Sequence, residues 1–167
     1  MSAPEHRRQA PASVACAVVT ISDTRTLATD ASGAAIIALL EQAGHRVHSR
    51  ALVPDDPGRI GDALDAALAA EGVQVVITTG GTGISARDGT YEVVARRLEK
   101  TLDGFGELFR MLSYAQVGAA AMMSRAIAGL VARRIVIALP GSEAAVRLAM
   151  EKLVVPELGH LVREATR

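Results

Sequence analysis

The chain has 167 residues, half of them hydrophobic, a length that favours one domain with a sizeable core. Its 18 basic residues balance 18 acidic ones, which excludes a strong global field for nucleic acid or an anionic membrane. One cysteine, Cys16, excludes an internal disulfide and fits the cytoplasm. In chain order, residues 1–12 hold no apolar segment of a secretory signal and read, from their polarity and prolines, as a disordered tail ahead of a single domain over 13–167. No later apolar stretch is long and uninterrupted enough to span a bilayer.

Residues 13–21 read as a buried strand, dense in β-branched side chains, with Cys16 as a small core residue. Asp30 is placed to cap a helix to about Ala43, which Gly44 stops. Residues 47–53 form a second strand of mixed polarity. Asp56-Pro57 starts the next helix, with Asp at the cap and Pro at the first position. Residues 73–79 form a third strand and open into Thr78-Thr79-Gly80-Gly81-Thr82-Gly83. Thr90 then caps a helix, and 103–114 look helical. Residues 118–130, rich in Gly, Ala and Met, predict a tightly packed helix carrying Ser124-Arg125, suited to the interior or to a subunit interface. A fourth strand over 134–139 ends at Pro140-Gly141-Ser142. The last long helix runs to about Val154, where Pro156 interrupts it, and a short apolar helix follows.

Strand and helix alternate without hairpin signals, and with four aromatic residues the core must be built from Ala, Val, Leu and Ile. Both point to an α/β three-layer α/β/α fold with a mainly parallel sheet. Ligands of such sheets sit beyond the carboxyl ends of the strands. Ser22-Asp23, Pro54-Asp55, the glycine loop with Arg87-Asp88, and Pro140-Gly141-Ser142 all fall there.

The glycine loop is either a tight turn that needs unusual backbone angles or a cradle of N–H groups for phosphate. Gly81-x-Gly83-x-x-Ala86 fits a relaxed dinucleotide fingerprint. However, Asp103 and Glu107 follow a helix rather than the strand that fingerprint requires. A P-loop is excluded, because no Gly-Lys-Ser or Gly-Lys-Thr occurs. Asp88 either steadies the following helix or holds a metal. Asp23 either caps a turn or meets the ligand. Capping accounts for Asp56, which leaves Asp55 without a structural duty. Ser142 reads as a helix cap whose exposed helix start can also bind an anion. Arg87 is better placed than Arg125 to meet phosphate. His45, His48 and His160 show no metal-ligand spacing.

Ile21-Ser22-Asp23, Pro54-Asp55, Thr78-Thr79-Gly80-Gly81-Thr82-Gly83 with Arg87-Asp88, Gly104-Phe105-Gly106-Glu107, Ser124-Arg125 and Pro140-Gly141 stand in a characteristic order and spacing. Over about residues 14–158 they resemble the molybdenum cofactor biosynthesis proteins of the MoaB/MogA type. Gly104-Phe105-Gly106-Glu107-Leu108-Phe109-Arg110, Leu112-Ser113-Tyr114 and Ser124-Arg125-Ala126 lean toward the MoaB branch.

The resemblance implies a molybdopterin-binding fold and an adenylyltransferase that uses ATP as substrate and requires Mg²⁺. The terminal phosphate of molybdopterin attacks the α-phosphate of ATP, and pyrophosphate leaves. Another protein then inserts molybdate, and family members are trimers or hexamers. Carried onto this sequence, Asp55 and Asp88 are the catalytic pair at the metal and triphosphate. Thr79, Gly80, Gly81, Thr82 and Gly83, with Arg87 beside them, receive phosphate and pterin groups. Ser22, Asp23, Pro140, Gly141 and Ser142 flank the nucleotide or pterin, and Glu107 and Ser124 lie near the pterin end. Such chemistry needs alignment and charge neutralisation rather than a protein nucleophile, and no Ser–His or Cys–His pair is seen. The alternative is a non-catalytic molybdopterin-binding carrier or scaffold in the same pathway, against which the paired carboxylates speak.

Overall fold

Six strands form one sheet in the order β2-β1-β3-β6-β5-β4. The structure, a computed structural model, describes residues 8–167. The strands are β1 (Ala15–Ile21), β2 (Arg46–Val53), β3 (Val75–Thr79), β4 (Lys100–Thr101), β5 (Ile127–Val131) and β6 (Arg134–Leu139). The helices are α1 (Ala31–Gln42), α2 (Pro57–Ala69), α3 (Thr90–Arg97), α4 (Asp103–Val117), α5 (Glu143–Ala149) and α6 (Val155–Thr166). β2, β1, β3 and β6 run parallel, while β5 pairs antiparallel with both β6 and β4.

Alternation along the central strands builds two cores. Cys16, Val18, Ile77 and Ile137 face α1, α4, α5 and α6; Ala17, Val19, Val76 and Val136 face α2 and α3. The three-layer, mainly parallel architecture expected from the sequence is therefore present. Burial pushes the Cys16 thiol up to about 12, so it is an inert core group. No described helix is long and apolar enough to cross a membrane.

Local signals explain most boundaries. Asp30, Asp56 and Ser142 each accept a backbone N–H three residues on, from Gly33, Arg59 and Ala145, so all three cap helices as their residue types require. Gly44 takes φ +86°, the left-handed stop expected of it. A helix follows the interruption at Pro156, as expected, but it is twelve residues long and no loop separates it from the one before. A π-helical turn over Met150–Val154 precedes it, and α6 continues the chain. The wider turn accommodates a ring that cannot donate to residue 152 and crowds its carbonyl.

Three expectations are corrected. The helix expected over 118–130 is a 3₁₀ turn at Gly118–Met123, then a loop, then strand β5. Alanine and methionine favour helix locally, but Ile127–Val131 completes a ladder with β6, and that pairing decides. β5 and β6 also form a hairpin where none was signalled. Its turn residues, Ala132 (φ 47°) and Arg133 (φ 64°), are left-handed without the usual Asn-Gly pair. Finally, Gly89 rather than Thr90 is the cap position of α3, and the Thr90 side chain is fully buried.

Of the expected tail over 1–12, residues 1–7 lie outside the described residues. Gln9 Oε1 accepts a hydrogen bond from Arg163 at 2.7 Å, and the Pro11 carbonyl lies against Gly159 of α6.

Candidate functional site

α1 packs on one face of the sheet and α2 on the other, so the connections diverge between β1 and β3. A crevice at such a switch point is where open α/β sheets bind ligands. Here a cleft of about 580 Å³ opens beyond β1, β3 and β6. One wall is Ser22 with Pro140, Gly141 and Ser142; the floor is Gly80, Gly81, Thr82 and Gly83. Phe109, Ser113 and Ser124 line the far end.

The glycine loop is shaped by close approach. Gly80 and Gly81 adopt φ +102° and +69°, in the left-handed region. A Cβ at Gly80 would overlap the Ile21 carbonyl, and one at Gly81 would overlap Thr90 Oγ1. The backbone is pinned on both sides: Gly80 N–H donates to the Leu139 carbonyl at 3.0 Å, and Thr90 N–H donates to the Gly81 carbonyl at 3.0 Å. Thr79 is buried and does not line the cleft. Its hydroxyl donates to the Pro140 carbonyl at 2.8 Å and ties the strand that feeds the floor to the wall.

Acidic groups gather at the rim. Asp55 follows β2 and accepts the Gly89 N–H at 3.3 Å. Burial, then the charges of Asp88 and Asp23, push its carboxyl above the usual range. Asp88 Oδ2 accepts the Ser85 N–H at 2.8 Å and stands 2.7 Å from where a Cβ of Gly83 would be. Asp88 lines the cleft, whereas Asp55 lies behind the loop beside Gly81. A second cleft of about 440 Å³ lies beyond the loop, lined by Ser85, Gly89, Glu92 and Arg96 among others. Asp88 is the one residue that lines both.

Asp23 and Arg87 form a pair at the outer rim. Arg87 Nη2 donates to Asp23 Oδ2 at 2.7 Å, and Asp23 Oδ1 accepts the Asp55 N–H at 2.9 Å. The Arg87 hydrogen bond, then that of Asp55, holds the Asp23 carboxyl below its ordinary range. Neither Asp23 nor Arg87 lines the cleft. Glu107 is exposed on α4 and also lies outside it.

The loop's oxygen atoms suit a hard cation. Among the described residues no cluster of three or more His, Cys, Asp or Glu forms a cage. Asp55 is joined instead by Thr90, whose buried Oγ1 has no hydrogen-bond partner among the described residues and faces the bare Cα of Gly81, as does Asp55 Oδ2, while Asp88 faces Gly83 two residues on. Few protein oxygens beside room for phosphate is the donor set Mg²⁺ takes, since it keeps waters and completes its shell from substrate.

Three residues were not legible as site residues. Thr90 reads locally as a cap. Arg125 reads as a surface or subunit-interface residue of a helix, yet its Nε donates to the Gly83 carbonyl at 2.9 Å. Its guanidinium also pairs with Glu92 and lies 4.9 Å from the Tyr91 ring centre. Arg25 lines the cleft through a contact with Gly141, 116 positions away. The Ser124 hydroxyl, at the far end, is buried without a partner among the described residues.

A family model described as "Probable molybdopterin binding domain" matches residues 17–160. Molybdenum cofactor biosynthesis protein B of Bacillus cereus is 53% identical, covering 100% of this chain and 99% of that protein. The Bacillus subtilis protein of the same name is 47% identical over 98% and 97% of the two chains. Among solved structures, a molybdenum cofactor biosynthesis protein B superposes with a TM-score of 0.91 at 53% identity, covering 95% and 99%. The tungsten cofactor synthesizing protein MoaB from Pyrococcus furiosus does so at 0.85 and 37%, covering 95% and 100%.

Proposed function

We propose that this chain, which belongs to the molybdopterin-binding domain family that includes molybdenum cofactor biosynthesis protein B, acts in molybdenum cofactor biosynthesis by transferring an adenylyl group from ATP to molybdopterin. The position of Asp88 carries the reading: it alone lines both clefts, so two phosphorylated substrates can meet across one carboxylate. The larger cleft takes the pterin and its terminal phosphate, and the nucleotide phosphates approach from the loop side.

A phosphate oxygen of molybdopterin attacks the α-phosphorus of ATP. The new P–O bond forms as the bond to the bridging oxygen of the β-phosphate breaks, and pyrophosphate leaves. The attacking group is already an oxyanion, so no protein base is needed. The chain supplies position and compensating charge. The N–H groups of Gly81, Thr82 and Gly83 orient the phosphate. Asp55, Asp88 and Thr90 would hold Mg²⁺, which when bound offsets the charge of the triphosphate. Asp23 fixes the backbone of Asp55 and so sets where that carboxylate stands.

Assembly into a trimer or hexamer is part of the reading. Leu108, Met111, Tyr114 and Val117, spaced three apart on α4, and Met122 beyond it are all exposed. An apolar surface of this kind marks a protein contact, and we assign it to the subunit interface. The activated pterin then passes to a molybdate-inserting protein.

Asp55→Asn and Asp88→Asn separate an enzyme from a carrier. Both variants should still bind molybdopterin but release pyrophosphate at least ~100-fold more slowly. Unchanged turnover in both would remove the paired-carboxylate role.

A further inference from the structure

Among the residues that line the larger cleft there is one cation, Arg25, and one carboxylate, Asp88. They come from different loops, Asp88 from the glycine-loop side and Arg25 from the turn after β1. The Ser22 hydroxyl accepts the N–H groups of Thr24 at 3.2 Å and Arg25 at 3.1 Å, and this turn brings the arginine back over the cleft.

The Arg25 side chain is fixed at one end and free at the other. Its Nη1 donates to the Gly141 carbonyl at 3.0 Å and to Ser32 Oγ at 3.1 Å, and stands 4.0 Å from Asp30 Oδ1. Asp30 does not neutralise it. That carboxylate is fully buried and already accepts from Arg50 at 3.1 Å and Thr20 at 2.6 Å. One buried carboxylate is therefore shared by two guanidinium groups, which leaves a net positive charge on the cleft side. Nε and Nη2 of Arg25 have no partner among the described residues, and the side chain is 35% exposed. Gly141 packs on Gly80, with 3.4 Å between its Cβ position and the Gly80 Cα, so the guanidinium stands next to the loop that cradles phosphate.

Resting on the assignment of molybdopterin to this cleft, we infer that Arg25 is the anion anchor of the site and donates from Nε and Nη2 to a phosphate oxygen of the pterin. A planar guanidinium with two free, parallel donors matches an oxyanion better than a point charge does. Its preset geometry reduces the entropy lost on binding.

The test is equilibrium binding of molybdopterin to wild type, Arg25→Gln, Arg25→Lys and Ser32→Ala, each checked for folding by thermal unfolding. Arg25→Gln should weaken binding roughly ten- to hundredfold, the scale of a lost charge-assisted hydrogen bond. It should also flatten the salt dependence of binding. Arg25→Lys should fall between the two. Ser32→Ala removes the 2.6 Å hydrogen bond to the Gly141 carbonyl and one acceptor of Arg25 Nη1, but keeps the charge and the Arg25–Gly141 bond, and should bind nearly as wild type does. Equal binding by wild type and Arg25→Gln would overturn the anchor role alone. So would a loss in Ser32→Ala as large as in Arg25→Gln, which would make the arginine a loop tie. A folded wild-type protein that does not bind molybdopterin would remove the assignment of the cleft and the anchor with it.

Discussion

Asp23 Oδ1 accepts the backbone N–H of Asp55 at 2.9 Å, so one acidic residue sets the position of another. The remaining oxygen of Asp23 is occupied by Arg87. Asp23 thus organises the rim from outside the cleft, and the two carboxylates should respond differently to substitution. Asp23→Asn keeps an acceptor for Asp55 and loses only an exposed ion pair. It should leave the unfolding midpoint in urea nearly unchanged. Its turnover should fall less than that of Asp55→Asn. Urea unfolding beside pyrophosphate-release kinetics would check the order.

Asp55 is costly to the fold. Its carboxyl is raised above the ordinary value of 3.8 by burial and by Asp88 and Asp23, so its charged form is penalised in the native state. Below pH 3.8 the group is protonated in both folded and unfolded chains and carries no penalty. As pH rises through 3.8 the unfolded chain ionises first, and native stability falls until the folded group has ionised too. Asp55→Asn keeps the acceptor for Gly89 and removes the charge. At neutral pH it should raise the thermal midpoint while abolishing turnover, and the gain should shrink in acid. A lower midpoint at pH 7 would contradict this assignment of cause.

Gly81 has no room for a side chain. A Cβ there would overlap Thr90 Oγ1 in a left-handed backbone. Gly81→Ala should destabilise by about 1–3 kcal/mol and impair turnover more than pterin binding. Denaturant titration and binding measured on the same sample separate the two effects.

Arg125 closes the loop over α3. Its contacts with the Gly83 carbonyl, Glu92 and Tyr91 join the segment before β5 to both ends of the Gly83–Asp88 turn. Arg125→Ala should cost about 2 kcal/mol. It should also raise the Mg²⁺ concentration needed for half-maximal turnover, because Asp88 loses its support. An unchanged Mg²⁺ requirement would confine Arg125 to a structural role.

The parts legible in the sequence were those encoded locally. Asp30, Asp56 and Ser142 cap helices through contacts three residues long. Gly80 and Gly81 announce a tight turn after a β-branched strand. What escaped depends on distant pairing. Nothing within 118–130 favours a strand, because the ladder that makes Ile127–Val131 one belongs to β6. Arg125 was misplaced with that segment. Arg25 sits among threonines in a polar turn, and only its bond to the Gly141 carbonyl shows where it points. Glu107 shows the reverse: a motif read as one unit, of which the structure puts Phe109 in the cleft and leaves Glu107 outside it.

The apolar surface of α4 yields its own test. Met111→Asp with Tyr114→Asp places two charges among exposed apolar neighbours and should convert an oligomer to a monomer of 17.4 kDa in light scattering. Wild-type protein that is already monomeric at micromolar concentration would remove the interface assignment.

On the proposed reading, Asp55 and Asp88 serve adenylyl transfer rather than pterin storage. The most direct measurement follows the α-phosphate: ATP labelled there is incubated with molybdopterin, Mg²⁺ and wild-type protein, and the pterin is separated. The label should move to the pterin, with one pyrophosphate released for each adduct. Pterin bound to the protein, with the label still wholly in ATP, would contradict it and leave a carrier.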